Sequence, residues 1–548
     1  NAVLLSFDDG YETMYNVVFP LLKAYNYPAV FAPVTGWLDT PANQKIAYAD
    51  KMLDRSVFAT WSQVKEMEQS GLVEIASHTH NLHNGINANP SGGQLPSVIA
   101  PEYKNGKYET EDAYKNRLKS DFTRTVQTLV NHIGKKPRVM VWPYGQFNDV
   151  SVQIARQAGM PHYFSLGEKI VNKVGDKHIG RLLLNAETDL NTVKNYLDGI
   201  DESKQIQRVL HVDLDYVYDA DKAQQAKNLD KLIDRIYRYG VTTVYLQAFS
   251  DPDGDGVADA LYFPNKYLPV RDDIFGRIAW QLQTRAGVQV YAWMPVLAFD
   301  LRKGVKEAEY VIDSRTGKTS TKAYLRLSPY NKQNVEIIKS IYNDLSFYAK
   351  FNGILFHDDA FLTDFEGAEG DHAEGMVSPQ AKQKTQDLIQ LTHQLTDALK
   401  PYFLRGSYSL KTARNLYASV ITNPNAEEWL AQNLKTLTDN YDTIAIMAMP
   451  YMENEQPISQ KEAYQWFASL IENVKAQAPL EKVLFEFQAV NWRTQKPIPE
   501  SELIDWMTLL QKNHIYSYGY YPDNFLTNQP DMNKMKPYFS VNTNAGKQ

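Results

Sequence analysis

Two short segments of this chain carry side chains that can act together on one ion. The run Val3-Leu4-Leu5-Ser6-Phe7-Asp8-Asp9-Gly10 is apolar and ends in two adjacent carboxylates and a glycine. It reads as a buried strand that delivers Asp8 and Asp9 to the rim of a sheet. Neighbours at a strand end point different ways, so one carboxylate can hold a metal ion while the other handles a proton. Further on, Leu72-Val73-Glu74-Ile75-Ala76 leads into Ser77-His78-Thr79-His80-Asn81-Leu82-His83, which places two or three imidazoles after another apolar strand. One carboxylate and two imidazoles leave positions open on a divalent ion, as hydrolysis by an activated water requires. A third strand, Val139-Met140-Val141-Trp142, runs into Pro143-Tyr144-Gly145, a turn able to set a backbone N–H and an aromatic ring over that ion. Alone, Asp-Asp-Gly is ordinarily a turn and a His-rich stretch ordinarily surface. The three in this order carry the meaning.

In that order the segments resemble the first three motifs of the polysaccharide deacetylases (NodB homology, carbohydrate esterase family 4). The resemblance implies that Asp8 is the general base and that Asp9, His78 and His83 bind the metal. It implies further that the backbone N–H of Tyr144 supports the oxyanion, with Trp142 and Pro143 beside it in the substrate-binding set. The cofactor it implies is one divalent ion, and an Asp/His donor set suits Zn, Co, Ni or Fe alike. The chain departs from the family pattern in three places. His78 and His83 are spaced i,i+5 where the family has i,i+4, with His80 between them. The arginine usual before Pro-Tyr-Gly is absent, Met140 standing near its place. No late Leu-x-His segment is found, since Arg181-Leu182-Leu183-Leu184-Asn185 ends in Asn. These departures predict a slow deacetylase, or one whose site is completed by residues outside this chain.

At 548 residues the chain is too long for one ordinary core. Its 43% apolar and 22% charged residues are those of a folded protein, and a net charge of −7 argues against nucleic acid as partner and suits a cationic polymer. With no cysteine there are no disulfides or thiolate metal sites. The chain begins two residues before a core strand, so residues are expected upstream, including a signal, a lipid anchor and some strands of the first domain.

The elements that must position these residues follow from periodicity. Leu118, Phe122, Val126, Leu129 and Ile133 repeat at helical spacing and Gly134 stops the helix, while residues 84–112 read as a long loop. The deacetylase domain is expected over residues 1–197 and a polar linker over 198–207. Across residues 208–548 eight strand-like runs alternate with helical stretches: Val209–Asp215, Val241–Phe249, Val288–Pro295, Gly353–Asp359, Phe403–Ser409, Asp442–Pro450, Lys482–Gln488 and Tyr516–Asp523. Mostly continuous apolar runs suit parallel strands buried on both faces, and eight units predict a (β/α)8 barrel. The fold class is therefore α/β with two (β/α) barrels: a NodB-like distorted barrel truncated at its N-terminus, then a (β/α)8 barrel.

Active sites of such barrels lie at the C-terminal strand ends. There the runs carry Asp213 and Asp215, Trp293, Asp358 and Asp359, Tyr451, Glu486 and Trp492, and Tyr521. Aromatic faces stack on sugars while carboxylates bind hydroxyls or protonate a glycosidic oxygen. Asp358 and Asp359, ending the fourth run, are the preferred catalytic acids, without a choice between them. Some of these acids would serve only as helix caps. Asp251-Pro252-Asp253-Gly254-Asp255-Gly256 is similar to a calcium loop, but position 12 is Tyr262 rather than an acid, so it reads as an acidic loop without calcium.

The whole arrangement, including Phe356-His357-Asp358-Asp359-Ala360, resembles the two-domain poly-β-1,6-N-acetyl-D-glucosamine N-deacetylases of Gram-negative biofilm export systems. That resemblance implies N-deacetylation by the first domain and binding, with hydrolysis, of the partly deacetylated polymer by the second. It also implies a periplasmic setting on an outer-membrane lipoprotein, anchored only by a lipid outside this chain, with an export porin as partner. Two alternatives differ in kind: a barrel that only binds polymer, and a peptidoglycan or xylan esterase with an appended glycosidase.

Overall fold

The computed structural model describes residues 3–167, 171–198, 206–367, 377–406, 409–454 and 456–542. The chain forms two compact units, the first of residues 1–203 with 400–409, the second of residues 204–399 with 410–548. Most of the expected linker lies outside the described residues.

In the first unit, β1 (Leu5–Asp9), β2 (Ala29–Pro33) and β3 (Val73–Ile75) are parallel, as are β4 (Val139–Val141), β5 (His162–Leu166) and β6 (His178–Arg181). A parallel bridge from Ser77 to Met140 joins the two sets, so the six strands lie side by side in chain order. β2 is buried along its whole length, as expected of a parallel strand covered on both faces. One face packs Phe31 against Trp37, Phe58, Met67 and Leu129; the other packs Val30 and Ala32 against Val141 and Phe164. The helix α1 (Glu111–Ile133) buries Leu118, Phe122, Leu129 and Ile133, is capped by the Thr110 side chain, and ends at Gly134 in the left-handed conformation (φ 76°). Residues 84–112 are not a plain loop. They contain the small hairpins Gly85–Asn87 with Gln94–Pro96 and Tyr103–Lys104 with Lys107–Tyr108 before the helix begins.

The second unit is a closed parallel barrel of eight strands: β7 (Arg208–Val212), β8 (Thr243–Gln247), β9 (Gln289–Met294), β10 (Gly353–Phe356), β11 (Lys411–Tyr417), β12 (Thr443–Met447), β13 (Val483–Gln488) and β14 (Tyr518–Tyr521). Closure pairs Val209 with Gly519, and a Cβ at Gly519 would stand 2.5 Å from the Val209 carbonyl oxygen, so only glycine permits the approach. Seven strands coincide with the expected runs. The fifth does not: the strand is Lys411–Tyr417, and the expected Phe403–Ser409 belongs to the first unit, where Arg405 pairs with Phe147 and Asp149. Of that run, residues 407 and 408 lie outside the described residues. Lys411-Thr412-Ala413-Arg414-Asn415 is too polar to signal a strand; the barrel tolerates it because Arg414 is buried with one N–H on the Ala360 carbonyl and Asn415 turns to Glu486.

Candidate functional site

At the end of β1 the backbone turns left-handed at Asp9 (φ 73°) and Gly10 (φ 103°). The turn sends the Asp9 carboxylate toward two imidazoles: His78 Nε2 lies 3.3 Å and His83 Nε2 3.2 Å from Asp9 Oδ1. His78 donates from Nδ1 to the Val141 carbonyl at 2.7 Å, which leaves its Nε2 lone pair facing the cluster. Tyr48 donates to the other Asp9 oxygen at 2.8 Å. Burial, which favours the neutral ring, and the nearby His78 push the His83 pKa down to about 4, the form a metal ligand needs. Burial opposes charge on His78, but its hydrogen bond to Asp9 and the carboxylates of Asp8 and Asp9 outweigh it and raise its pKa. Asp9 is shifted down for the reciprocal reason: burial raises it, and the His78 hydrogen bond and the His78 and His83 charges lower it further. One carboxylate oxygen and two Nε2 atoms, mutually within 4.8 Å, fit a divalent ion with open positions.

His80 does not join this group. Its Nδ1 bonds the Thr35 hydroxyl at 2.9 Å, and burial depresses its pKa. Asp8 is gripped by Arg181, whose guanidinium reaches Asp8 Oδ1 at 2.8 Å and Oδ2 at 3.0 Å. Arg181 is the last residue of β6 and opens the very segment that ends without a histidine. Tyr144 sits in the left-handed region (φ 57°), is 41% exposed, and lays its ring 4.5 Å from that of His83. Trp142 and Pro143 are a correction to the expected substrate-binding set. Trp142 is fully buried against Phe122, Phe147 and Tyr163, and Pro143 is buried beside it, so both support the turn from within the core.

At the C-terminal ends of the barrel strands the paired acids divide. Asp358 accepts from Tyr324 at 2.9 and 3.0 Å, from Tyr417 at 2.9 Å, and contacts His357 Nδ1 at 2.6 Å. Burial alone would raise its pKa, but the His357 charge and hydrogen bond and the two tyrosine hydroxyls hold it below the usual value. Asp359 is instead clamped by the backbone N–H groups of Val296, Leu297 and Ala298 at 2.6–3.0 Å, which fixes the loop after β9. Burial pushes the Asp213 carboxyl up to about 7, reinforced by the charges of Asp215 and Asp251. Near these acids lies Trp293, stacked on His357 (5.3 Å, 9°) and edge-on to Tyr521 (5.5 Å). Trp492 stacks on the same Tyr521.

Other expected residues are held by protein partners. Asp215 accepts from Ser250, Tyr262 and Arg271, Glu486 from His211 at 2.6 Å and Asn415 at 2.8 Å, and the Tyr451 hydroxyl donates to Glu502. The acidic loop brings Asp251, Asp253 and Asp255 together, with Asp251 filled by the amides of Gly254, Asp255 and Gly256. Tyr324, Tyr417, Asn415, Tyr48 and Arg181 escaped the sequence reading. Tyr417 and Asn415 needed the correct fifth strand; the other three lie far along the chain from what they touch.

A sheet ending in an Asp/His/His cluster, followed by a closed barrel with acids and aromatics at one end, defines a two-domain carbohydrate-active hydrolase. Residues 1–163 match the polysaccharide deacetylase family model, and residues 211–521 match that described as hypothetical glycosyl hydrolase family 13. The chain belongs to the family of poly-β-1,6-N-acetyl-D-glucosamine N-deacetylases: it is 40% identical to the Escherichia coli K12 protein of that name over 98% of this chain and 83% of the relative. The Staphylococcus aureus N315 protein of the same name is 28% identical over 37% of this chain and 60% of its own length. The structure of the PgaB (BpsB) glycoside hydrolase domain from Bordetella bronchiseptica is 39% identical, covering 62% of this chain and all of that one, with a TM-score of 0.57.

Proposed function

We propose that the first unit removes acetyl groups from poly-β-1,6-N-acetyl-D-glucosamine and that the barrel binds and cleaves the partly deacetylated polymer. The observation that carries the first activity is the Asp9, His78 and His83 cluster beside an Asp8 held by arginine. A divalent ion held by those three residues supplies carbonyl polarisation and a more acidic water, and the donor set suits Zn, Co, Ni or Fe. Asp8, fixed at both oxygens by Arg181, takes the proton of the attacking water. The Tyr144 backbone N–H supports the developing oxyanion. In the barrel, Asp213 is protonated below about pH 7 and can give its proton to a leaving sugar oxygen, while Asp358 stays ionised. Tyr521 and Trp492 offer aromatic faces for sugar rings, and the buried Trp293 packs edge-on against Tyr521. A periplasmic setting and an export porin as partner extend this reading, supported by the sequence resemblance; no described helix is long and apolar enough to cross a membrane.

Mass spectrometry of a β-1,6-linked N-acetylglucosamine oligomer incubated with metal-loaded protein tests the assignment. Loss of acetyl mass that disappears in Asp8→Asn supports it. Loss from β-1,4-linked oligomers alone would favour the peptidoglycan-type esterase.

A further inference from the structure

The loop that carries both metal imidazoles is held in an unfavourable shape. Between His78 and His83 the chain passes through Thr79 in the left-handed region (φ 70°), which β-branched residues rarely adopt. Such a conformation persists only where the surroundings over-determine it. Here the Thr35 N–H bonds the Thr79 carbonyl at 3.2 Å, the Gly36 N–H bonds the His80 carbonyl at 2.9 Å, and the Thr79 hydroxyl accepts from Leu82 at 3.2 Å. Gly36 is required for this approach, because a Cβ there would lie 2.5 Å from the His80 oxygen. The two amides midway between the ligands, those of His80 and Asn81, point away from the cluster. Both end on one side chain of α1: His80 N–H on Asp121 Oδ1 at 2.8 Å, and Asn81 N–H on Asp121 Oδ2 at 2.7 Å.

We infer that Asp121 is a positioning residue for the deacetylase metal site, its two oxygens clamping successive amides of the His78–His83 loop so that both imidazoles stand ready before the ion arrives. The inference rests on the reading of Asp9, His78 and His83 as that site. It also accounts for the i,i+5 spacing. The residue inserted relative to an i,i+4 pair leaves backbone donors in the middle of the loop, and a carboxylate with two acceptor oxygens satisfies two of them at once. Asp121 touches neither ligand ring, so its effect must pass through the backbone.

The test is chelator competition for Zn²⁺ on the full chain, comparing the native protein, Asp121→Asn and His83→Ala. An asparagine keeps the size but offers one acceptor and turns an N–H₂ toward an amide donor. Its zinc Kd should rise about 10–100-fold, as for other supporting groups of metal ligands, while KM for the oligomer is unchanged at saturating zinc. A Kd within about twofold of native overturns the inference. A native protein that binds no more zinc than His83→Ala overturns the metal reading itself, a different failure. Should Asp121→Asn not fold, hydrogen exchange of the unaltered, metal-free protein decides. Slow exchange at the His80 and Asn81 amides is expected, and exchange at the rate of open backbone overturns the clamp.

Discussion

The dipeptide Asp-Asp ends a parallel strand in the first unit and follows just past one in the second, and the two copies behave differently. In the first unit the backbone turns left-handed at Asp9, so Asp9 meets His78 and His83 while Asp8, gripped by Arg181, still acts electrostatically on His78. In the barrel neither Asp358 nor Asp359 has a positive φ, and the pair splits: one carboxylate meets tyrosines and an imidazole, the other binds the backbone of the loop after β9. The same two letters thus give two carboxylates held by side chains in one unit, and in the other one held by side chains and one by backbone amides. A left-handed φ at the second aspartate is present in the first case and absent in the second.

Substitutions can break this comparison, beginning with the largest effect. Asp8→Asn should lower deacetylation by about 10²–10⁴-fold, the usual worth of a general base, and leave chain cleavage unchanged, as separate acetate-release and fragment assays would show. Asp358→Asn should do the reverse, reducing cleavage by about 10²–10³-fold without touching acetate release. Asp359→Asn, by contrast, should lower the melting temperature along with cleavage, because the loop after β9 loses acceptor strength. If the two barrel variants proved indistinguishable in both cleavage and melting temperature, the division of labour would be refuted. Arg181→Met should cost deacetylation about 10–100-fold, as loss of a supporting group does, and a variant with native kcat would remove Arg181 from the site.

The acid with the raised pKa gives a smaller, pH-dependent effect. Folded Asp213 keeps its proton up to about pH 7, whereas an unfolded aspartate, with its ordinary value of 3.8, has already lost it. The native state therefore binds more protons between those values, and stability falls as pH rises through that window. Asp213→Asn should melt a few degrees above the native protein at pH 7.5, with the difference closing toward pH 4 in scanning calorimetry. Smallest for chemistry is Trp142→Phe: on the order of 2 kcal/mol of stability lost from a filled core, and no change in KM.

Much of this was legible from short-range signals. Continuous apolar runs located seven barrel strands, and Asp8, Asp9, His78 and His83 stood out because each pair lies within a few residues. The fifth strand was illegible because its hydrogen-bonding neighbours, not its own side chains, make Lys411–Tyr417 a strand. Arg181 was missed because it reaches a carboxylate 173 residues away. Trp142 was misread for a related reason: an aromatic beside a functional turn looks the same in a sequence whether it faces substrate or core.

The grip of Arg181 on Asp8 has a mechanical side. Among the described residues β1 pairs with β2 alone and β6 with β5 alone, and the guanidinium, bonded to Ser6 and Asp8, ties one outer strand to the other. The carboxylate proposed as the general base is also half of a latch between the two outermost described strands. Without it, each of these strands would be held to the sheet by its one described neighbour. Asp8 thus has a structural reason to be kept that is separate from acetyl removal.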